Sequence, residues 1–503
     1  MSRSVQHTVL ATTNSESFRS LTAPTTTREE RYRLGRDLRE IVPVKSLGTW
    51  KATSHRRSPV DLIEESHTGR IPELIPIRVG RMVSSPYGFL RGAAVVQAAD
   101  SAFLPSTGIT PISCGDSHLG NFGFYRSPEG EQVIDLNDFD EAHPGPWEWD
   151  VRRLTASVYV AGRENGYKED ECADAVRTCV HAYRDEMVFL ADQPLFARSF
   201  NRLDTDRLSE TVTEKGLRQE MKRALKQARK RTSDRALPKF TDETENGERR
   251  IIEDRPLITR LSEAEYNAVA TALDNYLDTL APHWRRVVGG YTLVDIAHKV
   301  VGVGSVGLRA YVALLEGSSP EDVLFLQLKQ ARRSVLARYV HGEAALHEHQ
   351  GQRVVEYQQA LQTVSDPLLG WTSVELPEGT PLQSADGTVS TQPTRMDLYV
   401  RQFRNMKGTV PLDNISAEGL TDYAGIVGHL LAKGHARTSG ASMVAGYLGK
   451  ANAAADAFAR FARLYADQTE ADHAEFLAAA KSGRLPIEPS ALENMGSAFR
   501  PGG

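Results

Sequence analysis

The chain has 503 residues, 40% hydrophobic and 25% charged, the balance of a soluble globular protein with room for more than one lobe. A formal charge of −5 argues against nucleic-acid binding by the chain as a whole, and three cysteines (Cys114, Cys172, Cys179) are too few for a disulfide framework and fit a reducing cytoplasm. No apolar run approaches the ~18 residues that span a bilayer, and Arg3 precedes no apolar signal core, so neither a membrane partner nor export is expected.

Residues 1–30 are rich in Ser and Thr and poor in large apolar side chains, which predicts a disordered tail. Residues 31–290 read as a mostly helical lobe that carries CGDSHLGNFGF (114–124), a strand in GEQVIDLN, and a helix from about Trp147 to Arg163. Inside it, residues 216–235 are strongly basic, with Lys222, Arg223, Lys226, Arg229, Lys230 and Arg231. No aromatic residues interleave to stack bases, so this stretch reads as a solvated helix face beside Asp242, Glu243 and Glu245 rather than an RNA surface.

A β-rich lobe is expected over 291–410. TLVDIAHKVVGVGSVGLRAYVALLEG reads as strand, glycine turn, strand, and VLFLQLKQA as a third strand. Residues 334–362 read as helical, and LLGWTSVEL and MDLYVRQF as two more strands. Residues 411–485 return to helices that rejoin the first lobe, Ala-rich between 451 and 480, and 486–503 read as a tail. No internal repeat is present.

The strongest chemical signal is the loop at Asp116 with the acidic run after it. Phosphoryl transfer needs a carboxylate to orient and deprotonate the attacking hydroxyl, and an Asn and an Asp to hold magnesium against the phosphates. Asp116 stands five residues before Asn121, and Asp135, Asp138 and Asp140 follow in VIDLNDFD. GDSHLGN resembles the GDxHxxN catalytic loop of the aminoglycoside and choline phosphotransferases, within the protein-kinase-like fold. VIDLNDFDEAHPGPWEWDVRRL resembles their metal-binding segment, with Asp150 as the later aspartate that leads into a helix. RIPELIPIRVGRM, GFLRGAA, KVVGVGSVG, LQLKQARRSVL, GQRVVEYQQ and YVRQFRNMKG resemble domain of unknown function 2252, an uncharacterised bacterial family, over most of residues 30–485.

These resemblances imply an α+β, protein-kinase-like two-lobe fold and an ATP- and Mg2+-dependent phosphotransferase acting on a hydroxyl of a small molecule or protein. Asp116 would be the base, with His118 ordering its loop. Asn121 and Asp138 would hold Mg2+, assisted by Asp140 or Asp135; Asp138 opens a D-F-D that resembles D-F-G, while Asp135 fits the strand-end aspartate of the phosphotransferases. Gly302, Gly304 and Gly307, with Ser305 between, form G-x-G-x-x-G. The strand-like LRAYVALLEG after it argues against a dinucleotide fingerprint, and no G-K-[ST] follows. Lys329, 22 residues beyond Gly307, resembles the kinase lysine that contacts the α- and β-phosphates, with Glu356 as first choice of partner and Glu343 and Glu348 as alternatives. Arg401 and Gln402 fall in the segment that resembles the adenine-holding strand and hinge. Arg81 and Arg91 suit a phosphate, a substrate carboxylate, or a salt bridge to Asp138 or Asp140. His435 reads as a packed helix histidine and Cys114 as a small buried residue.

In ordinary kinases the glycine loop precedes the catalytic loop. Here Asp116 precedes Lys329 by 213 residues, which implies circular permutation. Transfer of AMP from ATP, or nucleotide binding without turnover, are the rival readings.

Overall fold

Period-two alternation organises the strand Val323–Gln330. Leu324, Leu326 and Leu328 face one way, into a core with Val269 and Tyr276, while Phe325, Gln327 and Lys329 face the other. This strand lies inside a six-stranded antiparallel sheet whose order is Gly370–Leu376, Thr394–Gln402, Val323–Gln330, Ala310–Glu316, Thr292–Lys299, Ile258–Thr259. Residues directly opposite in an antiparallel pair share a face. Lys329 is opposite Tyr399 and Gln327 opposite Arg401, so a row of polar groups lines the face away from the leucines. The computed structural model describes residues 8–9, 26–202, 212–243, 249–300, 304–341, 346–384 and 388–488, except 404, 414, 439 and 451.

The rest is dominated by helices. Trp147–Glu164 is buried over nearly its whole length and packs against Glu169–Asp192 and Asn452–Lys481. Ala417–Thr438 lies along Glu169–Asp192, so helices from the end of the chain close around the middle of it. Their shared core includes Trp147, Leu154, Val180, Leu430 and Phe458. Truncating a large apolar side chain in such a core to Ala typically costs about 2–5 kcal/mol. A separate hairpin, Phe122–Arg126 with Gln132–Leu136, carries the acidic segment. It is tied to the sheet side by Gly408 N to Phe124 O (2.9 Å) and Phe124 N to Gly408 O (2.7 Å).

Several expectations are corrected. The tail placed at 1–30 falls mostly outside the described residues, but the helix Arg28–Ile41 begins within it. Thr27 Oγ1 accepts from Glu30 N and the Glu30 carboxylate accepts from Thr27 N, a reciprocal cap that starts this helix. The β-rich region begins before residue 291, because Ile258–Thr259 is the sheet's edge strand and Glu263–Leu277 packs on Gly370–Leu376. Residues 334–362 are not one helix. Val335–Arg338 is a single 3-10 turn, Val340–His341 is extended, and the helix is Gln350–Leu361, capped by His349. The basic stretch forms Lys215–Ala228, with Leu217, Met221, Ala224 and Ala228 buried on one face and most charges outside, as a solvated helix requires. Among the described residues, no helix is long and apolar enough to cross a membrane. All three cysteines are buried and free.

Candidate functional site

Asp116 lies on the turn between Ile112–Ser113 and Leu119–Asn121. Gly115 precedes it at φ +77, where a Cβ would come within 2.3 Å of Glu141 O, so only glycine lets this loop press against the acidic segment. Asp150 fixes the loop from below: its two carboxylate oxygens accept from Cys114 N (2.6 Å) and Gly115 N (2.9 Å). His435 Nε2 meets Asp150 at 3.0 Å, and Tyr183 OH meets His435 Nδ1 at 2.8 Å. His435 is thus a packed histidine that orients an aspartate, and Asp150 is a loop anchor buried far from solvent.

Arg153, one turn further along the helix, grips Asp116 Oδ1 with Nε (2.9 Å) and Nη2 (2.7 Å). Among the described residues Oδ2 accepts no hydrogen bond, and His118 Nε2 lies 3.9 Å from it. Burial raises the Asp116 carboxyl above its ordinary value against the opposing pull of Arg153. Burial, with Arg91 and Arg153 adding to it, holds His118 well below the ordinary imidazole value and keeps it neutral. Asn121 donates through Nδ2 to Asp116 O (2.9 Å) and Asp138 O (3.0 Å), tying the loop to the acidic run. Its Oδ1 is buried without a hydrogen-bond partner.

The three aspartates of VIDLNDFD have three different fates. Asp135 forms a buried ion pair with Lys433 and accepts from Leu136 N, and it does not line the cleft. Its candidacy as a metal ligand is corrected on that ground: the lysine already neutralises it. Asp138 lines the cleft with its side chain 48% exposed, and Lys329 Nζ lies 3.8 Å from Oδ1. Asp140 is saturated: Oδ2 receives Lys329 Nζ (2.9 Å) and Ser305 Oγ (3.2 Å), and Oδ1 receives Tyr399 OH (2.7 Å). Burial works against this carboxylate, but Lys329 and Tyr399 outweigh it and hold Asp140 below its ordinary value. Burial likewise opposes the charge on Lys329, and Asp138 and Asp140 outweigh it and raise the ammonium above its ordinary value.

Lys329 therefore meets the acidic loop. Glu356 does not meet Lys329: it is exposed and accepts from Gln352 Nε2 at 2.7 Å, one turn back on its own helix. The helix sends Arg353 inward instead, with Nη2 donating to Asp140 O and Arg332 O (both 2.8 Å) and Nη1 to Ala142 O. Of the alternatives, Glu348 is exposed and Glu343 lies outside the described residues. So does Gly302, whereas Gly304 and Ser305 line the cleft and Gly307 closes the turn at φ +87. A strand, Ala310–Glu316, follows that turn. Arg401 is on the polar face, with Nε donating to Gln327 Oε1 (3.0 Å). Alternation puts Gln402 on the leucine face, and its backbone N donates to Asp366 (2.6 Å). Arg91 lines the cleft and Arg81 does not; neither forms a salt bridge to Asp138 or Asp140 among the described residues.

Arg153, Arg353, Tyr399, Glu141 and Lys407 surround the site without being among the residues that the motifs mark in sequence. Lys407 was visible in YVRQFRNMKG. Burial, with Arg401 and Lys329 beside it, holds it well below the ordinary lysine value, and Asp138 is among its charged neighbours. Glu141, pushed up to about 7 by burial, accepts from Val335 N at 2.7 Å.

The cleft has a volume of about 230 Å³, and its lining includes Asp116, Asn121, Asp138, Asp140, Gly304 and Ser305. Among the described residues, no group of three or more His, Cys, Asp or Glu side chains is placed to hold a metal ion. The oxygen donors that fit a hard cation are the Asp138 carboxylate and the orphaned Asn121 Oδ1. Magnesium is commonly held by one or two protein oxygens, with water and phosphate completing its shell. A bacterial family described as "Uncharacterized protein conserved in bacteria (DUF2252)" matches residues 70–479. No curated protein and no solved structure matches.

Proposed function

We propose that this chain, which belongs to the DUF2252 family, is an ATP- and Mg2+-dependent phosphotransferase with a hydroxyl acceptor, built on a circularly permuted kinase-like fold. One observation carries the proposal. Lys329, 213 residues after Asp116 in sequence, is buried with its ammonium 2.9 Å from Asp140 and 3.8 Å from Asp138, two aspartates that line the same cleft as Asp116. A lysine on a central strand, beside a glycine turn and over a D-x-H-x-x-N loop, is what a triphosphate needs on its two sides.

The roles follow from which atoms are left open. Arg153 holds Asp116 Oδ1, which leaves Oδ2 to accept the proton of the acceptor hydroxyl. The hydroxyl oxygen then bonds to the γ-phosphorus, the bond from that phosphorus to the β–γ bridging oxygen breaks, and ADP leaves. Magnesium, held by Asp138 and Asn121 Oδ1, would neutralise charge on the phosphate oxygens. Lys329 changes partner from Asp140 to phosphate, and Arg353 keeps the Asp140 backbone in place meanwhile. Arg401, on the same face, would border the nucleoside.

The test is incubation with γ-labelled ATP, Mg2+ and a fractionated metabolite and protein extract, with Asp116→Asn as control. Label transferred by wild type alone, with ADP as co-product, is the expected result. Pyrophosphate as co-product would replace phosphotransfer with AMP transfer, and nucleotide binding without any product would leave a regulatory module.

A further inference from the structure

The cleft lined by Asp116, Asp138 and Asp140 is also lined by arginines drawn from distant parts of the chain: Arg70, Arg78, Arg91 and Arg332, with the exposed Arg333 beside the last. Some arginines elsewhere have carboxylates, as Arg56 has Asp100 and Asp472 and Arg309 has Glu265, while the buried Arg152 and Arg353 stand singly on carbonyl and amide oxygens; only in this cleft do several arginines without ion pairs come together among the described residues. None of Arg70, Arg78, Arg91 and Arg332 is ion-paired among the described residues. Arg78 is 2% exposed, and apart from Nη2 on Gly92 O (3.0 Å) its guanidinium is unmatched, with Nε and Nη1 buried without partners. Arg91 Nε is likewise buried and unpartnered. Arg70 donates to Ser66 O and Val306 O, and Arg332 to Ser66 O, all neutral acceptors; Glu141 attracts both without forming an ion pair with either. Of the carboxylates that attract Arg70, Asp140 is ion-paired with Lys329, and Glu141 is pushed up to about 7 by burial, which weakens its charge at neutral pH. Burial, and then repulsion from one another, lowers Arg70 and Arg78 from the ordinary guanidinium value. Burying unpaired charge is costly unless a ligand supplies the counter-charge.

We infer that Arg70, Arg78, Arg91 and Arg332 form an anion subsite for a phosphate group carried by the acceptor, so that the substrate class is a phosphorylated alcohol. This rests on the phosphotransfer reading for the word acceptor, though not for the anion. Phosphate suits the wall better than a carboxylate because it brings about −1.5 to −2 charges and three acceptor oxygens at neutral pH. Position separates it from the nucleotide. Along the paired strands, Arg401 and Gln402 lie at the Leu326–Gln327 end, while Arg332 continues beyond Gln330 at the other. Arg91 is among the charges felt by both Asp116 and His118, which puts the wall on the side of the base.

The test is calorimetry on the full-length protein with inorganic phosphate and, separately, a non-hydrolysable ATP analogue with Mg2+. Wild type should bind both together, and Arg332→Gln and Arg91→Gln should each weaken phosphate binding by about tenfold or more, as expected for losing a charge-assisted hydrogen bond. Arg78→Met should do the same if its thermal melt shows it folded; the two less buried positions carry the test otherwise. Absence of phosphate binding to wild type, or unchanged binding in both glutamine variants, overturns the subsite. Competition between phosphate and the analogue, with both lost in the arginine variants, also overturns the assignment, because the anion would then be the nucleotide's own. Arginine-dependent phosphate binding by a protein that binds no nucleotide would keep the subsite and sink the phosphotransfer reading.

Discussion

Asp135 and Asp138 stand three residues apart and are chemically identical, yet the fold treats them as opposites. Asp135 is 2% exposed and closed by Lys433, while Asp138 keeps half of its side chain open and shares Lys329 with Asp140. The same division separates Asp150, spent on two backbone amides and His435, from Asp116, gripped on one oxygen and left free on the other. A carboxylate whose every valence is filled by its own protein holds structure together. One with a vacant oxygen in a cleft is available for chemistry.

The sharpest test of that division is Asp116→Asn. The expected loss of label transfer is on the order of 10²–10⁴-fold, the usual range for a general base, with nucleotide affinity little changed; near-normal turnover would remove Asp116 from the role. On the closed side, Lys433→Met leaves Asp135 charged and alone in the core. It should destabilise the protein by about 3–5 kcal/mol in urea titrations, and a wild-type midpoint would show that Asp135 is not dependent on its lysine. Asp138→Ala should leave the urea midpoint nearly unchanged but abolish the Mg2+ dependence of nucleotide binding, measured by calorimetry with and without EDTA. If Asp135→Asn does this and Asp138→Ala does not, the two aspartates exchange roles. Turnover should also fall as pH drops through the Asp116 value. Its carboxyl is raised and must be unprotonated to act, so the acid limb should lie above the ordinary 3.8 and persist in His118→Gln. The smallest effect is expected from Glu356→Ala, below about 0.5 kcal/mol in stability, as for an exposed helix position, and without effect on activity.

What the sequence made legible was local. The Asp116 loop, the Val323–Gln330 strand with Lys329 on it, the glycine turn and the order of helices and strands follow from short patterns. What it hid depends on partners far away. Nothing within VIDLNDFD distinguishes Asp135 from Asp138, because the distinction is made by Lys433, 298 residues later. Helix phase excludes Glu356 as the partner of Lys329: it lies about 200° around from Val354, which is fully buried, and so it points to solvent. Arg353, the inward residue, carries the opposite charge from the one sought, since the acid for Lys329 had already come from the loop. The arginine wall is invisible as a charge cluster because its members sit at 70, 78, 91 and 332.

The helix Ala417–Thr438 supplies both Lys433 and His435, and so completes Asp135 and Asp150 from near the end of the chain. A ribosome delivers the Asp116 loop some 300 residues before it delivers these two side chains. Until then the nascent chain carries two aspartates destined for burial without their counter-groups, and the loop between Cys114 and Asn121 has no fixed floor. Synthesis interrupted between residues 330 and 432 thus yields a polypeptide that carries Asp116, Asn121, Asp138 and Lys329 but lacks the two side chains that hold Asp135 and Asp150 in place.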